Sequence, residues 1–272
     1  MTTIAFIGAG NMAGAIIGGL VENGFDKKSL WASDPSQDRI NELTSSLGIQ
    51  GTTDNITAIQ QADVVILAIK PQVMEAVLTP LKDALQSKKP LIISVAAGIN
   101  LHSIDTWTGS NLAIVRCMPN TPALVQQGAS GLFANEHVSE GQKAISEQTL
   151  NAVGMSVWVN EESQLDAVTA VSGSGPAYFF LFMEAMIEAG TKLGLSAETA
   201  KELTLKTALG AATMASTSSD TPSELRKKVT SPNGTTEQAI NSFINQDLSQ
   251  VVETALKAAN DRSVELCKEL GA

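Results

Sequence analysis

Short apolar runs, each about one strand long, punctuate the first half of the chain, and helical spacing of apolar residues fills the gaps between them. IAFIG (4–8), LWASD (30–34), VVILAIK (64–70), LIISVAAG (91–98) and LAIVRCMP (112–119) read as strands. Their near-continuous apolarity is what a parallel sheet covered by helices on both faces requires. Helices are predicted over 13–23, with Gly24 as C-cap, over 36–47 and over 72–85. Strands alternating with helices imply βαβ units, right-handed crossovers and a doubly wound α/β sheet that receives ligands at the carboxyl ends of its strands.

From about Glu161 the strand-like runs stop, and the rest reads as four or five helices. Pro176 suits the first turn of one, and Thr221-Pro222-Ser223-Glu224 is a capping box with proline at N1. The stretch 216–220 reads as a loop and 247–270 as a long final helix. The pattern therefore predicts two domains, a sheet domain over 1–160 and an all-helical domain over 161–272. The apolar stretch 177–195 carries Glu184, Glu188 and Lys192 at helical spacing, which reads as a buried helix of a soluble protein and not as a membrane span.

Composition narrows the classes. Of 272 residues, 43% are hydrophobic, enough for a large core, so disorder is excluded. A formal charge of −10 argues against a nucleic-acid partner. Cys117 and Cys267 form no paired motif, which excludes a disulfide framework and points to a reducing, cytoplasmic setting. No secretory signal pattern precedes the first strand.

The first strand runs into Gly8-Ala9-Gly10-Asn11-Met12-Ala13, a G-x-G-x-x-A turn at a helix start. Glycine at 8 permits a tight turn, glycine at 10 lets a pyrophosphate approach the backbone, and a small residue at 13 lets helix and strand pack closely. N–H groups of the helix N-terminus then face the phosphates. In this context the turn predicts a dinucleotide site. Asp34, at the end of the second strand, suits a free ribose 2′-hydroxyl and hence NADH; Ser33, Ser36 and Arg39 suit the 2′-phosphate of NADPH. The balance leans to NADPH, with NADH as an alternative. Lys70-Pro71 and the stiff MPNTPA turn (118–123) lie at further strand ends. A cofactor contact and an ordinary solvent-facing loop are equally good readings of both.

In the helical half, SPNGTTE (231–237) enters a helix with Ser231, Gly234, Thr235 and Thr236 around its N-terminus, a seat for a small carboxylate or a plain capping loop. No metal-ligand spacing appears. The two histidines, His102 and His137, read as surface or structural residues, and the single tyrosine, Tyr178, as core. Without an obvious general acid, reduction of an iminium, which carries its own proton, is favoured over reduction of a ketone.

FIGAGNMAGAIIGG, AIKPQ (68–72), VRCMPNTPALV (115–125), AVSGSGPAYFF (170–180) and VTSPNGTTEQAI (229–240), in this order and spacing, resemble the pyrroline-5-carboxylate reductases across essentially the whole chain. The resemblance implies an N-terminal Rossmann domain joined to a helical dimerisation domain, in homodimers that assemble further, often to decamers. It implies hydride transfer from NAD(P)H to C5 of 1-pyrroline-5-carboxylate, giving L-proline in the last step of proline biosynthesis. It further implies that Ser231 and the N–H groups of Gly234, Thr235 and Thr236 hold the substrate carboxylate, and that Thr236 hydrogen-bonds the ring nitrogen. Ala9, Asn11, Met12, Ser33, Asn55, Lys70 and Asn120 would lie along the cofactor, with Gly8, Gly10, Asp34, Ala68 and Pro71 framing it. Many members carry a second glycine where this chain has Asn233; asparagine tolerates a positive φ, so the turn is expected to survive. A β-hydroxyacid dehydrogenase would show a lysine on the early helix of the second domain, where none precedes Lys192. A dinucleotide-sensing regulator would need a basic recognition helix, which is absent.

Overall fold

The computed structural model describes residues 2–271. In chain order the sheet half contains β1 (Ile4–Ile7), α1 (Asn11–Glu22), β2 (Leu30–Ser33), α2 (Gln37–Leu47), β3 (Gln50–Thr52), α3 (Asn55–Gln61), β4 (Val64–Leu67), α4 (Met74–Leu78), α5 (Lys82–Lys88), β5 (Leu91–Ser94), α6 (Leu101–Thr108), β6 (Ile114–Met118), β7 (Gly128–Ala134), α7 (Glu140–Asn151) and β8 (Gly154–Trp158). The helical half contains α8 (Gln164–Val168), α9 (Gly175–Lys192), α10 (Ala197–Thr217), α11 (Pro222–Lys228), α12 (Thr235–Asn245) and α13 (Leu248–Leu270).

The strands form one sheet in the order β3-β2-β1-β4-β5-β6-β7-β8. The first six are parallel, which is the Rossmann arrangement; β7 runs antiparallel to β6, and β8 parallel to β7. Alternation along the buried strands divides their side chains between two cores. Ile4, Phe6, Val64, Ile66 and Ile93 join Ile16 and Ile17 of α1 and Ile40 of α2 on one face. Ala5, Ile7, Val65, Leu67 and Ile92 join Ile59 of α3, Met74 of α4 and Trp107 of α6 on the other.

The helix expected over 72–85 is interrupted. Pro80, which has no N–H to donate, sits in a 3-10 turn between α4 and α5. β3, β7 and β8 were not foreseen. β3 is three residues long and largely exposed, and β7 carries two glycines that depress strand propensity. Those glycines have packing reasons: a Cβ at Gly131 would lie 2.7 Å from Val168 Cγ1, and one at Gly128 would lie 2.8 Å from the Val153 carbonyl.

By compactness the chain divides into residues up to Ser174 with Ala258 onward, and Gly175–Lys257. The division expected at 160/161 therefore does not coincide with the packing units, and α13 contributes its last turns to the sheet unit. There Ser263 donates to Asp166 (2.6 Å), and Leu266 lies against Gly98.

The helical half holds six α-helices among the described residues, one more than the upper count expected, because α8 is short. α10 extends to Thr217, shortening the loop expected at 216–220. The Thr221 box forms as anticipated: the Thr221 N–H donates to the Glu224 carboxylate (2.7 Å), and the Glu224 N–H donates to the Thr221 hydroxyl (3.3 Å). The stretch 177–195 is helical as far as Lys192, but it is not buried within its own chain. Phe179, Phe180 and Leu181 are 68%, 59% and 66% exposed, so the apolar run faces outward and needs an external partner. Tyr178 is half-buried, and its enclosed hydroxyl has no hydrogen-bond partner among the described residues.

Candidate functional site

β1, β2, β4 and β6 end at Ile7, Ser33, Leu67 and Met118 on one carboxyl edge, where the parallel order reverses around β1 and β4. This is where open α/β sheets bind their ligands. Gly8 has φ +97°, and a Cβ there would lie 2.5 Å from the Ala68 carbonyl oxygen and 2.8 Å from Ile69 Cγ2. Only glycine lets the turn close onto the end of β4. Gly10, by contrast, has open space around its missing Cβ. Ala13 is fully buried beneath the helix, as the small-residue rule requires.

Gly10 is the N-cap of α1 and supplies no side-chain acceptor. Most other helices here are capped by a side chain, among them Ser36 on α2, Asp54 on α3, Asn100 on α6, Ser139 on α7, Ser196 on α10 and Thr221 on α11. Among the described residues, the α-helices with a glycine N-cap are α1 and α12, whose cap is Gly234. Their first-turn N–H groups are thus left for an external acceptor, and the helix dipole favours an anion there.

Around the glycine turn the side chains are ordered by backbone contacts. Asp34 accepts from the N–H groups of Ala9 and Ser36, each at 3.0 Å. The Arg39 guanidinium donates to the Ala9 carbonyl at 3.2 Å. Ser33 is fully buried and its hydroxyl donates to Asn55 Oδ1 at 2.6 Å, so Ser33 stands behind the half-buried Asn55. Ala9, Gly10, Asn11 and Arg39 line a cavity of about 410 Å³ beside α1. Met12 is half-buried against the core, Ala68 and Pro71 are half-buried, and Lys70 is exposed at the end of its strand segment.

Asn120, expected along the cofactor, makes two contacts to backbone groups. Its amide donates to the Ser172 carbonyl (3.0 Å) and accepts from the Ala129 N–H (2.9 Å). Both ends of the amide are engaged in a buried position, so Asn120 braces the MPN turn against β7 and the π-helical turn Thr169–Gly173. No local signal marks this role, because both partners are backbone groups remote in sequence.

Ser231, Gly234, Thr235 and Thr236 belong to the helical unit. Asn233 takes φ +58°, so the turn survives without a second glycine. Its N–H donates to the Glu237 carboxylate (2.8 Å), and the Gly234 N–H donates to the Ser231 carbonyl (3.0 Å). Ser231 and Thr235 are exposed and Thr236 is half-buried.

His102 and His137 are exposed. No cluster of metal-ligating side chains occurs among the described residues, and no helix is long and apolar enough to cross a membrane. Cys117 is buried on β6, and burial pushes its thiol up to about 12, with a hydrogen bond from Ser130 acting the other way.

A family model described as pyrroline-5-carboxylate reductase dimerisation matches residues 162–266, and one described as NADP oxidoreductase, coenzyme F420-dependent, matches 3–98. The chain is 54% identical to the pyrroline-5-carboxylate reductase of Pseudomonas aeruginosa over 268 residues, 98% of each chain. It belongs to the pyrroline-5-carboxylate reductase family. A solved pyrroline-5-carboxylate reductase of Coxiella burnetii superposes with a TM-score of 0.95 at 46% identity, covering 97% of this chain and 98% of that one. The pyrroline carboxylate reductase of Plasmodium falciparum, solved with NADP bound, gives 0.84 at 30% identity over 98% of each. For a pyrroline-5-carboxylate reductase, the outward apolar face of α9 lies within the segment that the family uses to dimerise.

Proposed function

We propose that this chain reduces 1-pyrroline-5-carboxylate to L-proline with NADPH, and with NADH as a second donor. The observation that carries the reading is the pair of glycine-capped helix N-termini, α1 and α12, in a full-length member of this family. One suits a pyrophosphate and the other a small carboxylate. The open space at Gly10 and the collision any Cβ would meet at Gly8 make a cradle that fits a dinucleotide.

When bound, NADPH supplies a hydride from its nicotinamide ring. Asn11 and Met12 open α1, and their N–H groups would hold the pyrophosphate, while Asn55, Ala68, Lys70 and Pro71 would border the nucleotide along the sheet edge. The N–H groups of Gly234, Thr235 and Thr236, with Ser231, hold the substrate carboxylate. The Thr236 hydroxyl accepts from the protonated ring nitrogen and fixes the C=N face. A hydride received at C5 would move the π electrons to nitrogen and leave a neutral secondary amine. No general acid is needed, because the nitrogen brings its proton with it. The active form is a homodimer built on the helical half and, by the family resemblance, assembled further to a decamer located in the cytoplasm.

The test is NADPH oxidation with 1-pyrroline-5-carboxylate, comparing wild type with Thr236→Ala. Loss of one positioned hydrogen-bonding group is expected to lower kcat/KM by about 100-fold, with dinucleotide binding unchanged. Folded protein that binds dinucleotide but shows no substrate-dependent oxidation would sink the assignment.

A further inference from the structure

The turn that leads into α12 carries asparagine where many members of the family carry glycine, and a side chain from the helix compensates. Ser231-Pro232-Asn233-Gly234 closes with the Gly234 N–H donating to the Ser231 carbonyl at 3.0 Å. Proline at the second position and a φ of +58° at the third make this a type II turn. Glycine suits that third position because any side chain there is strained. Flipping the Pro232–Asn233 peptide would relieve the strain and convert the turn to type I, with Asn233 at negative φ. Glu237 opposes the flip. The Asn233 N–H belongs to that same peptide, and it donates to the Glu237 carboxylate at 2.8 Å. In the flipped form the Pro232 carbonyl oxygen would take the place of that N–H and face the carboxylate, so attraction would become repulsion. Glu237 stands in the first turn of α12 and is half-buried, and its bond is of the charge-assisted kind. The flip would also bring a carbonyl oxygen to the N-terminus of α12, whose N–H groups and dipole attract an anion.

We propose that Glu237 is a positioning residue for the substrate carboxylate: it clips Asn233 in the left-handed conformation and so keeps the N-terminus of α12 able to receive an anion. Glu237 acts through the turn and not by contact with the substrate. The clip works against its own charge, which by itself disfavours a second carboxylate nearby. Asn233 and Glu237 therefore form one unit, in which the acid is needed because the third turn position is not glycine. The inference rests on reading the chain as a pyrroline-5-carboxylate reductase, and it names a residue outside the seat that keeps the seat in shape.

The experiment measures steady-state kinetics with 1-pyrroline-5-carboxylate on the intact oligomer. Wild type, Glu237→Ala, Glu237→Gln, Asn233→Gly and the Asn233→Gly/Glu237→Ala pair are compared, and hydrogen exchange over 230–240 is followed in each without substrate. In the wild-type background, Glu237→Ala is expected to raise KM for the substrate by about tenfold, the scale of a lost charge-assisted hydrogen bond. KM for NADPH should stay in place, and exchange across the turn should accelerate. Glu237→Gln keeps an acceptor and should restore most of the loss. Glycine takes a positive φ without strain, so on top of Asn233→Gly the same Glu237→Ala change should alter KM by less than about twofold. A role through bulk stability or through charge alone would give the same change in both backgrounds. Equal effects of Glu237→Ala in the two backgrounds, or an unchanged KM where exchange has accelerated, overturns the inference and leaves the reductase assignment standing. Wild-type protein that oxidises no NADPH with this substrate overturns both.

Discussion

Replacing Gly8 with alanine and, separately, Gly10 with alanine should give opposite phenotypes, although both glycines belong to one motif. At Gly8 the new methyl carbon would lie 2.5 Å from the Ala68 carbonyl oxygen. That carbonyl cannot retreat easily, because the Ala68 N–H is held by the Ile7 carbonyl at 2.8 Å. Side-chain residues at left-handed φ cost ~1–2 kcal/mol, and forced overpacking in a dense interior costs ~1–3 kcal/mol. Together these come to ~2–5 kcal/mol, against a typical total stability of ~5–15 kcal/mol. At ~2–4 °C per kcal/mol for domains of this scale, the melting transition should fall by ~4–20 °C.

Gly10 has an ordinary φ of −75° and nothing within 4 Å of its missing Cβ. Alanine there loses some N-cap preference but gains ~0.4–1 kcal/mol from the stiffer unfolded chain, so stability should hardly move. Its methyl stands where a pyrophosphate must approach, and dinucleotide affinity should fall by about tenfold or more, the equivalent of ~1.4 kcal/mol. Urea denaturation and NADP⁺ titration of the two variants check both halves. A Gly8→Ala protein as stable as wild type, or a Gly10→Ala protein that binds dinucleotide normally, would refute the account of the turn.

Phe180→Asp places a charge in the outward apolar face of α9 and is expected to reduce the particle mass in light scattering; an unchanged mass would show that this face is not the subunit contact. Cys117, with its thiol pushed up to about 12 by burial, should stay unreacted with a disulfide reagent at mildly alkaline pH until urea unfolds the sheet. Labelling of Cys117 in the native protein would contradict its enclosure. The Thr221 N–H and hydroxyl hold the Glu224 carboxyl below its ordinary value. That support is present above the usual glutamate range and is lost as pH falls through the lowered value. Amide exchange in the first turn of α11 should accelerate on acidification, and Thr221→Ala, which keeps the residue 221 N–H but removes the hydroxyl, should reduce the pH dependence without abolishing it.

Much of this molecule is written locally. The strands β1, β2, β4, β5 and β6 are continuous apolar runs, the glycine turn follows the first of them, and the Thr221 capping box is visible as four consecutive residues. Each depends on neighbours within a few positions, so spacing and residue type suffice to read it. β3 and β7 are different. Their sequences, QGT and GASGLFA, have weak strand character, and they become strands only because β2, β6 and β8 lend them hydrogen bonds. Likewise the apolar length of α9 said that it must be covered, but not whether by its own chain or another; its exposure in the folded chain decides that.

The site divides in the same way. Which residues gather at the carboxyl edge followed from the order of strands and turns, whereas the direction each side chain takes did not. Ser33 turns inward to Asn55, Asn120 bridges Ala129 and Ser172, and Asp34 and Arg39 meet at Ala9. By itself the sequence determined the elements, their alternation and the chemistry available at their ends, because these are properties of periodicity and local backbone preference. Only the tertiary structure decided where the charges point and which apolar surface is left uncovered, because both depend on contacts between residues far apart in the chain.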